Sequence, residues 1–516
     1  MAARTRLRRA RRTLLATGTT AVLAAALLAG TEATSQAATQ GPCDIYAAGG
    51  TPCVAAHSTT RALFGAYNGA LYQVRRASDG ATKDIGLLSA GGYADAAAQD
   101  AFCTGTTCLI TVIYDQSGRG NGLTQAPAGG AAAGPDNLAP ATAAPVRAGA
   151  HPVYGVYVAA GTGYRNNHTS GIATGDQPEG MYAIFDGTHF GGGCCFDYGN
   201  AETNNLDTGN GHMEAVYFGD STIWGTGAGN GPWVMADLEN GLFSGANVGH
   251  NANDPSVSHR FLTALVKGGP NQWAIRAGNA QSGGLSTYYS GPRPNASGYN
   301  PMHKEGAIIL GIGGDNSKSS SGTFYEGVMT AGYPSDATEN AVQANVNAVG
   351  YQTAPVTSSS LTPGSRISLR ATTACCTADF LRRNTDSSVA ISPITAGSSA
   401  ADKASATWTV RAGLADSTCL SFESAGTPGQ YLRHSGFQLY TAANNGTALF
   451  TKDATFCPRA GHSGQGFSFQ SANYPNKYLR HYAYTGYLAG DGGGNAWDNA
   501  NSWSEDTSWL AAQPWS

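Results

Sequence analysis

The chain repeats the stretch Ser421-Phe-Glu-Ser-Ala-Gly-Thr-Pro-Gly-Gln-Tyr-Leu-Arg-His434 without a gap as Ser468-Phe-Gln-Ser-Ala-Asn-Tyr-Pro-Asn-Lys-Tyr-Leu-Arg-His481. A third copy, Phe380-Leu-Arg-Arg383, precedes both, and the copies start 51 and 47 positions apart. An aromatic residue follows each copy at a similar distance, in order Trp408, Phe456 and Trp509. A unit of this length has room for about four short strands, which cannot bury their apolar face alone. The repeat therefore predicts a closed barrel of pseudo-threefold symmetry, a β-trefoil, over residues 364–516.

The chain as a whole is poor in charged residues and rich in glycine. Of 516 residues, 70 are Gly, and charged residues make up 12%, against about 25% in an ordinary soluble domain. Long surface helices need Lys, Glu, Arg and Gln, so this composition favours short strands joined by tight turns. The best helix candidate is Glu339–Val349. The clearest strand candidates are Leu109–Tyr114, Ala215–Phe218 and Ala307–Leu310.

These patterns predict an all-β protein with two domains. We expect a β-sandwich with long loops over residues 39–352. Residues 353–363 are rich in Pro, Ser and Thr and are typical of a linker, and the β-trefoil follows it. The chain has no concentrated basic face of the kind that a nucleic-acid partner requires.

The first 38 residues are typical of a secretory signal peptide. Residues 1–12 hold six arginines and no acid, an apolar stretch runs from Leu14 to Leu28, and small residues follow near Ala37. The pair Arg11-Arg12 is compatible with twin-arginine export as well as with the general route. No later stretch of the sequence is apolar over a membrane-spanning length, so we expect a secreted protein without a membrane anchor.

The cysteine spacing agrees with export to an oxidising environment. The ten cysteines all follow the signal segment, and disulfides persist outside the cytosol. The spacing predicts two local bonds, Cys43–Cys53 and Cys103–Cys108, and makes Cys419–Cys457 a plausible long-range bond. Two further pairs, Cys194-Cys195 and Cys375-Cys376, are adjacent in the chain, where a bond makes a small strained ring. From the residues alone, each of these cysteines could instead pair elsewhere or stay reduced; no Cys/His set has the spacing of a zinc site.

Two of the three repeats carry a histidine and an aspartate at matching positions. The residue after Leu-Arg is His434 or His481, and Asp453 or Asp506 stands three residues before the aromatic. A carboxylate and an imidazole together suit sugar hydroxyls, although the same residues could simply hold a turn. The first copy has lost both partners, with Arg383 and Ser405 in their places. This pattern predicts two working sugar pockets and one degenerate pocket.

Four motifs in the amino-terminal domain, together with the repeat, carry a family resemblance. The motifs are Gly192-Gly-Cys-Cys-Phe-Asp-Tyr-Gly-Asn-Ala-Glu-Thr203, Asp207-Thr-Gly-Asn-Gly-His-Met-Glu-Ala215, Trp233-Val-Met-Ala-Asp-Leu-Glu-Asn-Gly-Leu-Phe243 and Leu310-Gly-Ile-Gly-Gly-Asp-Asn-Ser317. They resemble glycoside hydrolase family 54, the α-L-arabinofuranosidases. The repeat resembles carbohydrate-binding module family 42, a β-trefoil that binds arabinofuranose side chains. The resemblance extends over essentially the whole chain after the signal segment, in the same domain order.

The resemblance implies a retaining mechanism on two carboxyl groups. By position, Glu239 is the nucleophile and must be ionised, whereas Asp315 is the general acid/base and must first hold a proton. The two groups of a retaining pair lie about 5–5.5 Å apart. The residues alone do not separate these two from the other acids in the motifs, which are Asp197, Glu202, Glu214 and Asp237.

The resemblance also implies the sugar contacts. Cys194 and Cys195 would form a vicinal disulfide that lines the pocket, since its flat apolar surface suits the C–H face of a furanose. Trp224, Asp237, Asn240 and the backbone of Gly314 match residues beside the sugar. In the module the matching contacts are His434, Asp453, His481 and Asp506. The pair Cys375-Cys376 departs from the family pattern, and no function is assigned to it.

The sequence thus predicts a secreted, exo-acting α-L-arabinofuranosidase that acts on arabinose-containing plant cell-wall polysaccharides, arabinoxylan or arabinan. We expect a monomer that needs no cofactor or metal. One alternative is a non-catalytic sugar-binding protein; another is a related furanosidase, or an enzyme that also acts on β-xylosides. The sequence has no His-Glu-x-x-His motif and no phosphate-binding loop motif, which disfavours metalloenzyme and nucleotide-dependent chemistry.

Overall fold

The computed structural model describes residues 40–104, 106–354, 361–463, 465–491 and 493–516. The predicted signal peptide and most of the predicted linker lie outside these residues. Within them are six α-helices: α1 Pro42–Ala48, α2 Ala96–Phe102, α3 Asp336–Val349, α4 Ala400–Ser405, α5 Ala448–Asp453 and α6 Trp503–Asp506.

The amino-terminal part of the described chain contains 21 strands. They are β1 Cys53–Ser58, β2 Tyr72–Arg76, β3 Thr82–Ile85, β4 Cys108–Ile113, β5 Leu123–Gln125, β6 Ala144–Ala148, β7 His151–Val158, β8 Tyr164–Asn166, β9 Glu179–Phe190, β10 Asp197–Ala201, β11 Glu214–Gly219, β12 Thr226–Ala228, β13 Trp233–Asp237, β14 Leu242–Phe243, β15 His250–Pro255, β16 Phe261–Gly269, β17 Gln272–Asn279, β18 Ser286–Gly291, β19 Ala307–Leu310, β20 Gly322–Ala331 and β21 Tyr351–Thr353. The three predicted strands are confirmed as β4, β11 and β19, with ends that differ by at most one residue.

These strands build two large sheets that share one apolar core. The first has the order β18-β17-β16-β9-β20-β7-β6-β21, with β1 also paired to β20, and the second has the order β14-β13-β11-β10-β19-β8-β5-β4-β2-β3. Aromatic rings from the two sheets meet between them. Phe185 of β9 lies 6.0 Å from Phe218 of β11, and Tyr198 of β10 lies 5.1 Å from Phe324 of β20, centroid to centroid. The prediction of a mostly β protein is confirmed.

The carboxyl-terminal part is a closed β-barrel. Its strands are β22 Arg366–Ala371, β23 Asp379–Arg383, β24 Val389–Pro393, β25 Trp408–Ala412, β26 Leu420–Ser424, β27 Gln430–Ser435, β28 Gln438–Ala443, β29 Phe456–Ala460, β30 Phe467–Ser471, β31 Tyr478–Tyr482, β32 Thr485–Ala489 and β33 Trp509–Ala512. The repeated aromatic residues are buried in its core. Trp408 donates its indole N–H to the carbonyl of Leu381 and Trp509 does so to Leu479, at 2.9 and 3.0 Å. The recurring Leu and the aromatic that follows it are therefore one packing unit.

All ten cysteines are paired. The structure contains the four predicted disulfides, Cys43–Cys53, Cys103–Cys108, Cys194–Cys195 and Cys419–Cys457. It also contains a bond between Cys375 and Cys376, so both adjacent pairs are vicinal disulfides.

The predicted helix at Glu339–Val349 is confirmed as α3, which begins three residues earlier. Ser335 caps its amino end, because its hydroxyl accepts a hydrogen bond from the amide of Thr338 at 3.1 Å. No helix in the described ranges is long and apolar enough to cross a membrane. The described residues, from 40 onward, form one compact unit, in which Lys452 of α5 donates to the carbonyl of Thr188 at 3.3 Å. The barrel therefore contacts the end of β9.

Asp254 on β15 offers a test of how burial of a carboxyl group affects the pH dependence of stability. It has 0% exposure, and its carboxyl oxygens have no hydrogen-bond partner among the described residues, so burial raises its pKa to about 8. An acid whose pKa is raised by folding stabilises the fold below the unfolded pKa and loses that contribution as the pH rises through the folded value. We expect Asp254→Asn to gain unfolding free energy relative to wild type between pH 5 and pH 8, by on the order of a few kcal/mol.

Chemical denaturation at both pH values measures this difference. The exposed control Asp84→Asn on β3 should keep the wild-type pH dependence. A wild-type pH dependence in Asp254→Asn as well would contradict the prediction.

Candidate functional site

A cavity of about 140 Å³ is lined mainly by three loops next to the ten-stranded sheet, and Asp207 and Trp224 come from two further loops. The first loop joins β9 to β10, the second joins β13 to β14, and the third follows β19. Strands β13, β11, β10 and β19 are consecutive neighbours in the sheet, which brings these distant parts of the sequence together. The cavity is lined by Cys194, Asp207, Trp224, Asp237, Glu239, Asn240, Gly241, Leu242, Gly313, Gly314, Asp315 and Ser317.

The structure gathers the predicted pocket residues in this one place. Seven of them line the cavity, and Cys195 is buried directly behind, with its Sγ 3.2 Å from Asp237 Oδ2. The prediction missed five lining residues: Asp207, Gly241, Leu242, Gly313 and Ser317. All five fall within or at the ends of the quoted motifs, so the motif boundaries were the signal that could have found them.

Glu239 sits in a strained tight turn. It and Asn240 have φ values of 64° and 55° and occupy the two central positions of the turn between β13 and β14. This is the backbone of a type I′ hairpin turn, which suits Asn or Gly but costs a glutamate on the order of 1 kcal/mol. The turn is held by Asp237, whose Oδ1 accepts from the Glu239 amide at 3.0 Å, and by Tyr299, whose hydroxyl donates to the Glu239 carbonyl at 2.8 Å. Such strain is characteristic of functional positions.

Asp315 enters the cavity from the loop after β19. Its Oδ1 accepts from the amide of Ser317 at 2.9 Å, and its carbonyl accepts from the amide of Ala131 at 3.0 Å. The side chain is half-buried, in contrast to the deeply buried Glu239. Of the two predicted catalytic carboxyl groups, Asp315 is therefore the more exposed to solvent.

A second glutamate, Glu202, faces Glu239 across Gly314. A Cβ on Gly314 would overlap Glu202 Oε2 and lie 2.9 Å from Glu239 Oε2. Glu202 follows β10 and is fully buried. Burial and the charge of the opposing Glu202 raise the pKa of Glu239, and burial also raises the pKa of Glu202. Two buried carboxyl groups this close share one proton.

A second carboxyl pair lies beside the first. Asp197, at the start of β10, is fully buried, and burial and the neighbouring Asp237 raise its pKa well above the usual range. Burial raises the pKa of Asp237 to about 7, against the effect of the hydrogen bond from the Glu239 amide. Burial and the neighbouring Asp237 therefore both favour the protonated form of Asp197. Residue type and spacing alone do not separate these two acids from the predicted catalytic pair, Glu239 and Asp315.

Arg165 of β8 is a buried cation beneath the carboxyl groups. Its guanidinium donates to the carbonyl of Gly314 at 2.6 Å, to the carbonyl of Glu202 and to Asn167 Oδ1 at 2.6 Å. Burial lowers its pKa to about 10, against the attraction of Glu202 and Glu239, so the group stays charged at neutral pH. Arg165 thus fixes the backbone on either side of the Glu202–Glu239 pair and supplies a positive charge to it.

The vicinal disulfide and a tryptophan bound the cavity. Cys194 lies in the wall, and its Sγ is 3.5 Å from the hydroxyl oxygen of Ser317. The carbonyl of Cys194 accepts from the amide of Ser319 at 2.9 Å, which ties the first loop to the third. Trp224 is 38% exposed, so it lies at the mouth rather than in the core.

In the barrel, the second repeat forms a polar pocket. Asp453 Oδ2 accepts from Arg433 at 2.6 Å, and its Oδ1 lies 3.2 Å from His434 Nε2. Asn473 of the third repeat bridges both, with Oδ1 3.1 Å from His434 Nε2 and Nδ2 donating to Asp453 at 2.7 Å. Tyr474 lies beside them, 5.4 Å from the His434 ring. Burial lowers the pKa of His434, which favours the neutral imidazole.

The third repeat forms the matching pocket with a residue of the first. Asp506 Oδ2 accepts from Arg480 at 2.9 Å, and its Oδ1 lies 3.6 Å from His481 Nε2. Thr373 donates to Asp506 Oδ1 at 2.8 Å and lies 2.8 Å from His481 Nε2. In both pockets the arginine of the Leu-Arg pair holds the aspartate, which explains why this arginine recurs.

The corresponding place in the first repeat has no His–Asp pair. Arg383 donates to the hydroxyls of Thr441 and Ser387, each at 2.9 Å, and Ser405 donates to the carbonyl of Asp402 at 2.7 Å. The structure thus places two His–Asp pairs and one site without such a pair, at the positions that the repeat predicts.

Comparison with known proteins gives a consistent family. Residues 42–352 match the family described as alpha-L-arabinofuranosidase B, catalytic, and residues 369–511 match the alpha-L-arabinofuranosidase B (ABFB) domain.

Individual relatives are similar over nearly the same length. A probable alpha-L-arabinofuranosidase B of Aspergillus terreus is 68% identical over 433 residues, which are 83% of this chain and 85% of that protein. An arabinofuranosidase/B-xylosidase of Trichoderma koningii is 62% identical over 491 residues, 94% of this chain and 98% of that one. The crystal structure of an arabinofuranosidase complexed with arabinofuranosyl-alpha-1,2-xylobiose is 57% identical, with a TM-score of 0.84, and covers 92% of this chain and 100% of that chain.

The shared proton of the Glu202–Glu239 pair predicts a pH effect. Glu202→Gln removes the opposing negative charge but keeps a hydrogen-bond donor toward Glu239, so the pKa of Glu239 should fall. We expect the acidic limb of the kcat/KM profile to move to lower pH by on the order of one unit. Glu202→Ala, which removes both the proton and the donor, should lose most activity. The profile is measured on an aryl arabinofuranoside; an unmoved acidic limb in Glu202→Gln would show that the two groups are not coupled.

The contact of Gly314 with both glutamates predicts a steric effect. Gly314→Ala should push the Glu202 side chain against Glu239 and reduce kcat by on the order of a hundredfold, because catalytic groups tolerate little displacement. The matched control is Gly130→Ala next to Asp315, whose Cβ would make only ordinary contacts of 3.6 Å to Leu206 and 3.7 Å to Asp315. Equal kcat values in the two variants, at unchanged melting temperature, would refute the prediction.

Proposed function

The chain belongs to glycoside hydrolase family 54, the α-L-arabinofuranosidases, and from this premise we propose that it is a secreted, retaining, exo-acting enzyme. Its substrates are arabinose-containing plant cell-wall polysaccharides, arabinoxylan and arabinan, from which it removes terminal arabinofuranosyl residues. One observation carries this proposal. A small cavity presents Glu239 and Asp315 together, with the vicinal disulfide in its wall.

In the proposed mechanism the two carboxyl groups have separate roles. Glu239 attacks the anomeric carbon as a carboxylate while its shared proton resides on Glu202. Asp315 donates a proton to the departing glycosidic oxygen, which leaves a covalent glycosyl-enzyme. Asp315, now ionised, takes a proton from water, and the resulting hydroxide equivalent releases arabinose with its original anomeric configuration. The partial exposure of Asp315 supports this role, because its proton must be exchanged with solvent in each cycle.

The residues in the cavity wall are suited to bind one neutral sugar. The disulfide sulfurs are apolar and polarisable and suit the C–H face of a furanose ring. Asp237, Asn240 and the backbone of Gly314 offer polar groups for its hydroxyls, and Trp224 stands at the mouth for the next sugar. Every reacting group in this scheme is a side chain of the protein, so the reaction proceeds without a cofactor.

We infer that the two amino-terminal sheets form a β-sandwich over residues 39–352 and that the barrel over 364–516 is a β-trefoil joined by the linker 353–363. The barrel acts as an arabinose-binding module through His434 and Asp453 in one pocket and His481 and Asp506 in the other. It keeps the catalytic domain on an insoluble polysaccharide. The five disulfides and the signal-like residues 1–38 support a secreted protein, and we expect a monomer.

The bound ligand of the 57% identical crystal structure supports an arabinose-substituted xylan as substrate. A second activity, on β-xylosides, is favoured by one specific observation. The Trichoderma koningii relative is named as an arabinofuranosidase/B-xylosidase and is similar over 94% of this chain. The two sugars have closely similar ring substituents, so one pocket of this shape can accept both.

A product assay tests the proposal. The protein is incubated with arabinoxylan and with linear arabinan, and the products are separated. We expect free arabinose from both and retention of configuration when early product is followed by proton NMR. Release of xylo-oligomers, or inversion, would overturn the exo-acting or the retaining assignment.

Variants of the two carboxyl groups test their roles. Glu239→Gln should lower kcat on an aryl arabinofuranoside by at least about 10⁴-fold, since the nucleophile is lost. Asp315→Asn should impair polysaccharide substrates much more than an aryl substrate whose leaving group needs no proton. Asn240→Ala, which removes only a sugar contact, should lower kcat/KM more modestly. Near-normal turnover by Glu239→Gln would contradict the assignment of Glu239 as the nucleophile.

A further inference from the structure

The vicinal disulfide Cys375–Cys376 departs from the family pattern, and the catalytic mechanism gives it no role. It lies in a single helical turn, Ala374–Cys376, that begins right after Thr373, and the amide of Cys376 donates to the Thr373 carbonyl at 2.8 Å. Thr373 is the residue whose hydroxyl bridges His481 and Asp506. The disulfide is thus within one turn of the third repeat's pocket.

The three repeats share a rule for how each pocket is completed. The second residue after the first strand of one repeat reaches into the pocket of the preceding repeat. After β30 this residue is Asn473, which bridges the pocket of the second repeat, and after β22 it is Thr373, which bridges that of the third. After β26 it is Gly426, which has no side chain and packs against Ala404. The degenerate first pocket therefore lacks this bridging group as well as its His and Asp.

The residues that follow the bridging position form the side wall. In the second pocket the wall is Tyr474, which is partly exposed and packs edge-on against His434 and Phe437 at 5.4 and 5.0 Å. Aromatic rings of this kind bind the C–H face of a sugar. In the third pocket the same place in the chain holds Ala374, whose methyl group is much smaller than an aromatic ring, followed by Cys375 and Cys376.

The two vicinal disulfides of the protein share one arrangement. In the catalytic cavity Cys194 lies in the wall while Cys195 is buried behind it. In the barrel Cys375 is exposed, whereas Cys376 is 5% exposed and belongs to the barrel core. In each pair one cysteine is buried in the interior and the other is the more exposed of the two.

We propose that Cys375–Cys376 is the apolar wall of the third repeat's sugar pocket and takes the place of Tyr474 in the second. Its ligand is the C–H face of an arabinofuranosyl residue whose hydroxyls bind His481, Asp506 and Thr373. This rests on the proposed sugar-binding role of the barrel. A hydrogen bond also connects the segment before the disulfide to this pocket, because Thr372 donates to the carbonyl of Glu505 at 2.8 Å. Glu505 lies on α6, the helix that carries Asp506.

Binding of arabinotriose to the full chain tests this wall. All variants carry Glu239→Gln to prevent turnover. Adding Asp453→Ala leaves only the third pocket, and adding Asp506→Ala leaves only the second; a variant with both measures the catalytic cavity's own contribution. Into each single-pocket background the change Cys375→Ala/Cys376→Ala is introduced. We expect the dissociation constant to rise about five- to tenfold when only the third pocket is left, as apolar contact is lost, and to be unchanged when only the second is left.

Three results would overturn the proposal. They are unchanged binding in the third-pocket background, an equal loss in both backgrounds, and absence of binding by the third pocket before the cysteines are changed. The last result would refute the barrel's sugar-binding role at that pocket and is distinct from failure of the wall alone. None of these three results bears on the assignment as a hydrolase, which is tested by turnover.

A second measurement avoids replacing the buried Cys376. Glu239→Gln protein is treated with a water-soluble phosphine and an alkylating agent, and labelling of Cys375 is followed by peptide mass mapping. Arabinotriose should slow this labelling severalfold, and the protection should vanish in the Asp506→Ala background but persist with Asp453→Ala. Labelling of Cys194 is the internal control for sugar bound in the catalytic cavity. Protection of Cys375 that is absent, or that survives Asp506→Ala, would refute the proposal.

Discussion

The desolvation of several carboxyl groups in one place is the constraint on which the catalytic site depends. Asp197, Glu202, Asp237 and Glu239 are all nearly inaccessible to water, and four like charges cannot coexist in such surroundings. Burial raises the pKa of each of the four groups, which favours a proton within each pair. Arg165 adds a positive charge beneath the cluster. The nucleophile predicted by resemblance is thus one member of a coupled set, and its ionisation depends on where its neighbours hold their protons.

The ten-stranded sheet makes this arrangement possible. Its neighbouring strands β13, β10 and β19 end in loops that share one edge of the cavity, and the backbone pairing fixes their register. Within this frame, a glutamate can be held at φ 64° at a cost that the rest of the domain offsets. Glycine is needed at 314 because both glutamates approach it. The loop geometry and the carboxyl chemistry therefore constrain each other.

The barrel follows a different constraint, which is that no repeat is complete alone. Its aromatic residues share one core, and each polar pocket needs a residue from the next repeat. Asn473 and Thr373 lie within the repeated stretch or just after a strand, yet the alignment does not mark them, because one is Asn, another Thr and the third Gly. Their role depends on the contact between repeats that only closure of the barrel creates. The same holds for Arg433 and Arg480, whose recurrence the sequence shows but whose ion pairs with Asp453 and Asp506 it does not.

The strand-rich architecture, the threefold repeat and the two local disulfides, Cys43–Cys53 and Cys103–Cys108, could be predicted from the sequence alone. These features depend on local spacing and composition, which are properties of short stretches. Resemblance to a family added Glu239 and Asp315, which residue types alone did not distinguish from Asp197 or Glu202. Three arrangements became apparent only from the folded structure: Glu202 faces Glu239, Arg165 lies beneath them, and Thr373 completes a pocket of another repeat. These contacts join residues far apart in the chain, and the shift in a carboxyl group's pKa arises from burial and neighbours that do not exist until the chain has folded.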